Sequence, residues 1–153
     1  MNALGDPALT LAEFQALATE GVPLIGVLGC RVERFEPGLV EVRLPWADHL
    51  LRPGGTISGP AMMALADITL YGAVLSRVGR VELAVTTDLT FHFLRRPRPG
   101  DLVGRGRLLR LGRTLAIGEV EIARAAEPEA LVAHAVGTYS IPPAAPRDGK
   151  ERA

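Results

Sequence analysis

A single carboxylate, Asp67, stands near the middle of an apolar stretch that covers residues 58–75. The stretch predicts one helix that is apolar on every side, which is typical of a helix enclosed by protein or lipid. Asp is rarely buried alone, because removing an unpaired charge from water costs several kcal/mol. Either a functional role or a structural partner, such as Thr69 or a partner helix, must therefore account for Asp67.

The start of this helix is a second place where chemistry is possible. Ser58 is predicted to be the N-cap, and Pro60 falls in the first turn, where a missing N–H costs little. A helix N-terminus presents unpaired N–H groups and a partial positive charge, so it can stabilise a developing oxyanion. We prefer the capping role of Ser58 over a nucleophilic one, because no flanking elbow or nearby base accompanies it.

The bulk composition narrows the class of protein. The chain has 153 residues, which is enough for one domain with a hydrophobic core. Of these residues, 48% are hydrophobic and 22% are charged, as in an ordinary globular protein. Its net charge is zero and its aromatic content is 5%, which argues against nucleic acid as a partner. The charge of Asp67 near the helix centre argues against a membrane span. We therefore expect neither a nucleic acid nor a membrane partner.

The residues that commonly bind metals are few and dispersed. The single Cys30 excludes an internal disulfide and a thiol cluster, and His49, His92 and His134 are too scattered for metal-ligand spacing. We therefore expect neither a metal nor a cofactor. The N-terminus lacks a basic region followed by an apolar run, so no signal peptide is predicted and a cytoplasmic location is expected.

The segments on both sides of the apolar helix carry strand patterns. Before it we predict an amphipathic helix over 9–20, strands over 27–35 and 39–45, and an irregular loop over 46–57. After it we predict strands over 81–94, 102–111, 115–123 and 131–141. Gly104 and Gly106 share one face of their strand, which indicates strong bending or the close approach of another backbone.

These elements indicate an α+β fold, in which a curved antiparallel sheet of about six strands wraps the long helix. Such a sheet explains why the helix needs no polar face. We expect a single domain over residues 1–142 and a disordered tail over 143–153, where no hydrophobic pattern is present.

Five short motifs in a fixed order resemble those of the hotdog-fold acyl-CoA thioesterases, especially their phenylacetic-acid-degradation, or PaaI-like, branch. The resemblance covers about residues 20–142. The motifs are Ser58-Gly59-Pro60 at the helix start, Ala64-Leu65-Ala66-Asp67, Thr86-Thr87-Asp88-Leu89, Gly100-Asp101 with Leu111-Gly112-Arg113, and Ala133-His134-Ala135 through Tyr139.

The resemblance implies hydrolysis of an acyl-CoA thioester. By position, Asp67 matches the carboxylate that acts as nucleophile or as general base for water. Gly59 matches the residue whose N–H polarises the thioester carbonyl, and Thr86 matches a hydroxyl that can orient water. Ser58 stands where the family usually has His, and it can still cap the helix or hydrogen-bond the carbonyl. The family further implies a homodimer, with dimers that pair into a homotetramer.

The spacing of two of these residues adds a constraint. Gly59 and Asp67 are eight residues apart, which is about 12 Å along a helix. One carbonyl carbon cannot meet both groups within a single protomer. The site is therefore expected to need two chains, with one helix start facing the other chain's Asp67, which predicts an obligate dimer.

The predicted substrate contacts include part of an arginine cluster. Seven arginines fall within residues 95–113, against one acid, Asp101. They are interpreted either as contacts to the phosphates of CoA or as a solvated strand face, with Arg105 and Arg107 pointing outward. Met62 and Met63 are each assigned to the core or to the acyl pocket. The predicted substrate-binding residues are Arg52, Gly55, Pro60, Met63, Arg95, Arg96 and Arg113.

Two other functions stay open. Ser58 replaces the family's usual His and Arg52 replaces an Asn or Gln, and both departures favour a non-catalytic acyl-CoA or acyl-carrier binding protein on the same scaffold. A relative of the enoyl-CoA hydratases would share the fold. That reaction usually needs an Asp/His pair near the helix start, which Ser58 does not provide.

Overall fold

The computed structural model describes residues 9–143. Two short helices, α1 (Leu11–Ala16) and α2 (Pro23–Leu28), flank a π-helical turn at Leu17–Gly21, and the long helix α3 spans Gly59–Val78. The strands are β1 (Arg31–Glu36), β2 (Leu39–Leu44), β3 (Leu51–Arg52), β4 (Thr56–Ile57), β5 (Val85–Phe93), β6 (Leu102–Leu111), β7 (Leu115–Arg124) and β8 (Glu127–Ser140). A 3-10 turn, Asp48–Leu50, precedes β3.

Six of the strands form one antiparallel sheet in the order β1-β2-β6-β7-β8-β5, while β3 and β4 make a separate hairpin directly before α3. Helix α3 contacts every strand of the six-stranded sheet. This architecture confirms the predicted α+β fold with a long helix wrapped by a six-stranded antiparallel sheet.

Helix α3 lies unusually close to the sheet at β6. A Cβ atom built on Gly104 would lie 2.8 Å from the Thr69 hydroxyl oxygen, and one on Gly106 would lie 2.9 Å from the Thr69 methyl carbon. A side chain at either position would therefore push the helix away from the sheet. At Gly106 the same Cβ atom would lie 3.3 Å from the Thr69 backbone carbonyl oxygen, so the predicted close approach of another backbone is confirmed there.

Helix α3 is long and apolar enough to cross a membrane, yet 72% of its most apolar window is buried inside the protein. Leu65, Leu70 and Leu75 on this helix are at most 1% exposed. Their burial against the sheet accounts for the apolarity on every side, so α3 is the core helix.

Several predicted boundaries are wrong. The predicted strand start at residue 27 falls inside α2, which begins at Pro23 in its first turn and ends where Gly29 adopts a left-handed φ of 73°. The strand predicted from residue 81 begins at Val85, and the one predicted from residue 131 begins at Glu127. The expected irregular loop over 46–57 contains the short β3–β4 hairpin. The disordered tail stays a prediction, because residues 144–153 lie outside the described part of the chain.

Burial of Cys30 leads to a simple prediction. The residue is 3% exposed, and burial raises the pKa of its thiol from 9.0 to about 11. At pH 8 we expect an about 100-fold smaller thiolate fraction than in the unfolded chain, and correspondingly slow labelling by a disulfide reagent such as DTNB. Labelling in guanidinium chloride should be rapid and reach one thiol per chain. Rapid labelling of the native protein would contradict the burial of Cys30.

Candidate active site

A β-bulge in β5 lies next to Asp67. Thr86 pairs with Tyr139 of β8, and the next register pair joins Asp88 to Thr138, so Thr87 is the extra residue in β5. The Thr87 hydroxyl donates to the carbonyl of Thr138 at 3.1 Å. Bulges of this kind redirect side chains and are common beside active sites.

The bulge changes which threonine faces the helix. Leu89 and Phe91 pack partly against the core on the helix side of β5. Strict alternation backward from Leu89 would place Thr87 on that side. Because of the extra residue, Thr86 lies there instead, and its hydroxyl reaches α3.

Asp67 is half-buried and accepts two hydrogen bonds from hydroxyl groups on the sheet. The Thr86 hydroxyl donates to Asp67 Oδ1 at 2.6 Å, and the Tyr139 hydroxyl lies 2.7 Å from the same oxygen. The interpretation of Thr69 as the structural partner of Asp67 is wrong, because the Thr69 hydroxyl donates to the Leu65 carbonyl at 2.6 Å. The structure thus brings together two predicted site residues, Asp67 and Thr86.

Tyr139 is the residue that the sequence interpretation missed. It is 3% exposed, and burial together with the charge of Asp67 raises the pKa of its phenol well above the ordinary range. The phenol therefore stays protonated and can donate throughout the physiological pH range. One signal was present in the sequence: Ala133, Ala135 and Gly137 are the small inward residues of the last strand, and Tyr139 continues their alternation with a polar tip.

A cavity of about 420 Å³ opens beside Asp67 and Thr86. On one side it is lined by the π-helical turn and α2, and on the other by α3 and residues 82–86 at the start of β5. Its lining is mostly apolar and includes Leu17, Ile25, Ala64, Ile68, Leu83 and Val85. Such a cavity can hold an apolar group next to the carboxylate.

The start of α3 lies in a different cavity, of about 360 Å³, that is lined by Gly59, Met62, Phe93 and the cations of Arg52, Arg95 and Arg96. Gly59 and Asp67 thus belong to separate cavities of one chain. The Gly59 end of the helix is basic and the Asp67 face is apolar.

Only one backbone donor is uncommitted in the described first turn of α3. The Ala61 N–H donates to the Ser58 hydroxyl at 3.4 Å, and the Met62 N–H donates to the Ser58 carbonyl at 3.2 Å. Pro60 has no N–H. The Gly59 N–H is therefore the group that could polarise a carbonyl, and the predicted N-cap role of Ser58 is confirmed.

Other predicted site residues lie outside both cavities. Gly55 is in the turn between β3 and β4, and Pro60 is exposed in the first turn of α3. Met63 is 41% exposed on α3, so its alternative assignment to the core is wrong, whereas Met62 is buried. Arg113 is exposed in the turn between β6 and β7. Contact of these four residues with a substrate stays a prediction.

The outer face of the sheet carries the remaining charged candidates. Arg105 lies 3.8 Å from Glu121, and Arg107 forms an ion pair with Glu119, so these two arginines belong to a solvated strand face. His134 Nε2 lies 3.0 Å from a carboxylate oxygen of Glu119. Within residues 9–143, no three His, Cys, Asp or Glu side chains group as metal ligands would.

Comparisons with known proteins agree with this architecture. The family model of the thioesterase superfamily matches residues 54–130. A protein of Saccharolobus solfataricus, provisionally named an esterase, is 32% identical over 136 residues, which cover 89% of this chain and 93% of that protein.

Solved structures extend the likeness to most of the chain. A structure from Silicibacter sp. TM1040, provisionally named a thioesterase, is 40% identical with a TM-score of 0.81, and the match covers 92% of this chain and 97% of that one. A mutant of the phenylacetic acid degradation protein PaaI from Thermus thermophilus is 26% identical with a TM-score of 0.68, over 77% and 97% of the two chains.

Proposed function

Because the chain belongs to the thioesterase superfamily, as a PaaI-like hotdog protein, we propose that it hydrolyses acyl-CoA thioesters to a free acid and CoA. The observation that best supports this proposal is the Asp67 carboxylate, which accepts hydrogen bonds from the Thr86 and Tyr139 hydroxyls at the edge of an apolar cavity. The test is thiol release from a panel of short, long and aromatic acyl-CoAs. Thiol release would support the proposal, and its absence across the whole panel would contradict it.

The site is proposed to form between two chains. Among the strands of residues 9–143, β5 is the last of the sheet and pairs with β8 alone, so its other edge can pair with a second copy. One end of β5 carries Thr86, which bonds Asp67, and the other carries Phe93, which lies against Gly59. Antiparallel pairing of two β5 strands about a two-fold axis would place the Asp67 end of one chain beside the Gly59 end of the other.

In this arrangement the groups of the two half-sites have complementary roles. Asp67 acts as a general base that takes a proton from water while the water oxygen attacks the thioester carbon, or it attacks that carbon itself. The N–H of the partner subunit's Gly59 stabilises the oxyanion that develops on the carbonyl. Collapse of the intermediate breaks the C–S bond, and in the general-base route the CoA thiolate takes up the proton that Asp67 holds. In the nucleophilic route, water then hydrolyses the acyl–Asp67 anhydride to the free acid and restores the carboxylate.

The two cavities suggest where the parts of the substrate bind. The apolar cavity beside Asp67 suits the acyl group. Arg52, Arg95 and Arg96 surround the helix start, and guanidinium groups are well suited to the phosphates of CoA. We further propose a homodimer that pairs into a homotetramer, in the cytoplasm, without a metal or cofactor and without a nucleic acid or membrane partner.

A non-catalytic acyl-CoA or acyl-carrier binding protein is the second candidate. One observation favours it: the first turn of α3 keeps a single uncommitted N–H, since Pro60 has none and Ser58 occupies the Ala61 donor. Tight acyl-CoA binding in calorimetry without turnover would support this candidate.

A mixing experiment tests the shared site. Two variants that are each expected to be inactive, Asp67→Asn and Gly59→Pro, are unfolded together, refolded and assayed. Random re-pairing makes half of the dimers hybrid, and each hybrid has one site with both groups intact, so we expect about a quarter of wild-type activity. Each variant refolded alone is the control. A mixture no more active than the controls would contradict a site shared between two chains.

A further inference from the structure

Two hydroxyl groups converge on one oxygen of Asp67. The Thr86 hydroxyl lies 2.6 Å and the Tyr139 hydroxyl 2.7 Å from Oδ1, while Oδ2 accepts no hydrogen bond from residues 9–143. The Tyr139 hydroxyl also lies 3.1 Å from the Asp67 backbone carbonyl. The two oxygens of the carboxylate are therefore not equivalent.

The sheet holds the two donors in place independently of the helix. Thr86 and Tyr139 are directly opposed across β5 and β8, and the β5 bulge turns Thr86 toward the helix side. The Tyr139 ring stacks on Tyr71 with centroids 5.9 Å apart, and the Tyr71 hydroxyl donates to the Glu82 carbonyl at 2.9 Å. Burial of Tyr139 keeps its hydroxyl protonated, so it remains a donor while the reaction proceeds.

We propose that Tyr139 is a positioning residue, which with Thr86 fixes Oδ1 of Asp67 so that Oδ2 is the reacting oxygen. This inference rests on the proposed thioesterase function. With Asp67 as general base, the water oxygen bonds to the thioester carbon as its proton passes to Oδ2. Without the Tyr139 hydroxyl, the carboxylate can rotate away from this orientation, and misplacement of a reacting group by about 1 Å can lower the rate about 100-fold.

The test compares Tyr139→Phe with the wild type in steady-state hydrolysis. Phe keeps the ring that stacks on Tyr71 and removes only the hydroxyl. We expect kcat to fall about 10- to 100-fold, with KM within about two-fold of the wild type and a thermal midpoint lower by a few degrees, because a hydrogen bond to a carboxylate is lost. Thr86→Val is expected to behave similarly. Thr138→Val is the matched control with unchanged kcat, because its side chain lies on the face of β8 opposite to Tyr139 and takes no part in the hydrogen bonds to Asp67.

Wild-type kcat in Tyr139→Phe would overturn the inference while leaving the proposed function intact. A wild type that hydrolyses no acyl-CoA would contradict the proposed function instead. In that case, a double-mutant comparison of denaturation midpoints still tests whether the Tyr139 hydroxyl holds Asp67. The shift in denaturation midpoint caused by Tyr139→Phe is measured in the wild-type and in the Asp67→Ala backgrounds. We expect a smaller shift in the second background, and equal shifts would overturn the inference.

Discussion

Replacing Asp67 with asparagine is expected to lower kcat for thioester hydrolysis about 10²- to 10⁴-fold, since general-base catalysis contributes a factor of this size. Asparagine has nearly the same shape as aspartate, and its amide oxygen can accept the bonds that Thr86 and Tyr139 now donate to Oδ1. The fold should therefore be retained, while the amide can neither accept a proton from water nor attack a thioester. Steady-state thiol release beside thermal unfolding measures both effects.

The matched control for this substitution is Asp88→Asn. Asp88 lies on β5 two residues after Thr86, is exposed, and lines neither of the two cavities. The Asp88→Asn substitution removes one negative charge from the same part of the fold, so it separates the role of Asp67 from a general change in electrostatics. We expect Asp88→Asn to keep wild-type kcat. Undiminished hydrolysis of every tested acyl-CoA by Asp67→Asn and Asp67→Ala would show that the catalytic assignment is wrong.

Replacing Gly59 with proline is expected to lower kcat about 10²- to 10³-fold, because loss of one oxyanion donor has an effect of this size. Proline removes the only uncommitted N–H of the first turn without breaking an intrahelical bond. The preceding residue, Ser58, has φ −68° and ψ 152°, which is the conformation that a residue before proline prefers. The helix start should therefore form in the variant.

Gly59→Ala is the control for this second prediction. A Cβ atom at position 59 would lie 3.1 Å from Phe93 Cζ, and the alanine and proline variants share this crowding. Phe93 is 53% exposed and can shift, so the crowding should be tolerated. Only the proline variant loses the N–H. An equal loss of kcat in the two variants would assign the effect to crowding and contradict the oxyanion role of Gly59.

Much of this architecture could be predicted from local sequence patterns. The start of α3, its Ser58 cap and its enclosure followed from hydrophobic spacing and capping chemistry, which depend on neighbours within a few residues. The helix continues to Val78, three residues beyond the predicted stretch. The separation of Gly59 and Asp67 followed from helix geometry alone, and the structure places them in separate cavities. The family motifs then indicated a PaaI-like hotdog thioesterase, and the match of the superfamily model agrees with that prediction.

Tertiary structure alone decided how Asp67 is held. The bulge at Thr87 arises from the pairing of β5 with β8, and an alternating pattern within one strand cannot show where an extra residue is accommodated. Tyr139 reaches Asp67 from 72 residues away in the chain, through the topology that sets β8 beside β5. Patterns local in the chain therefore indicated the candidate groups, whereas the long-range register of the sheet determined which oxygen of Asp67 accepts the two hydroxyl bonds.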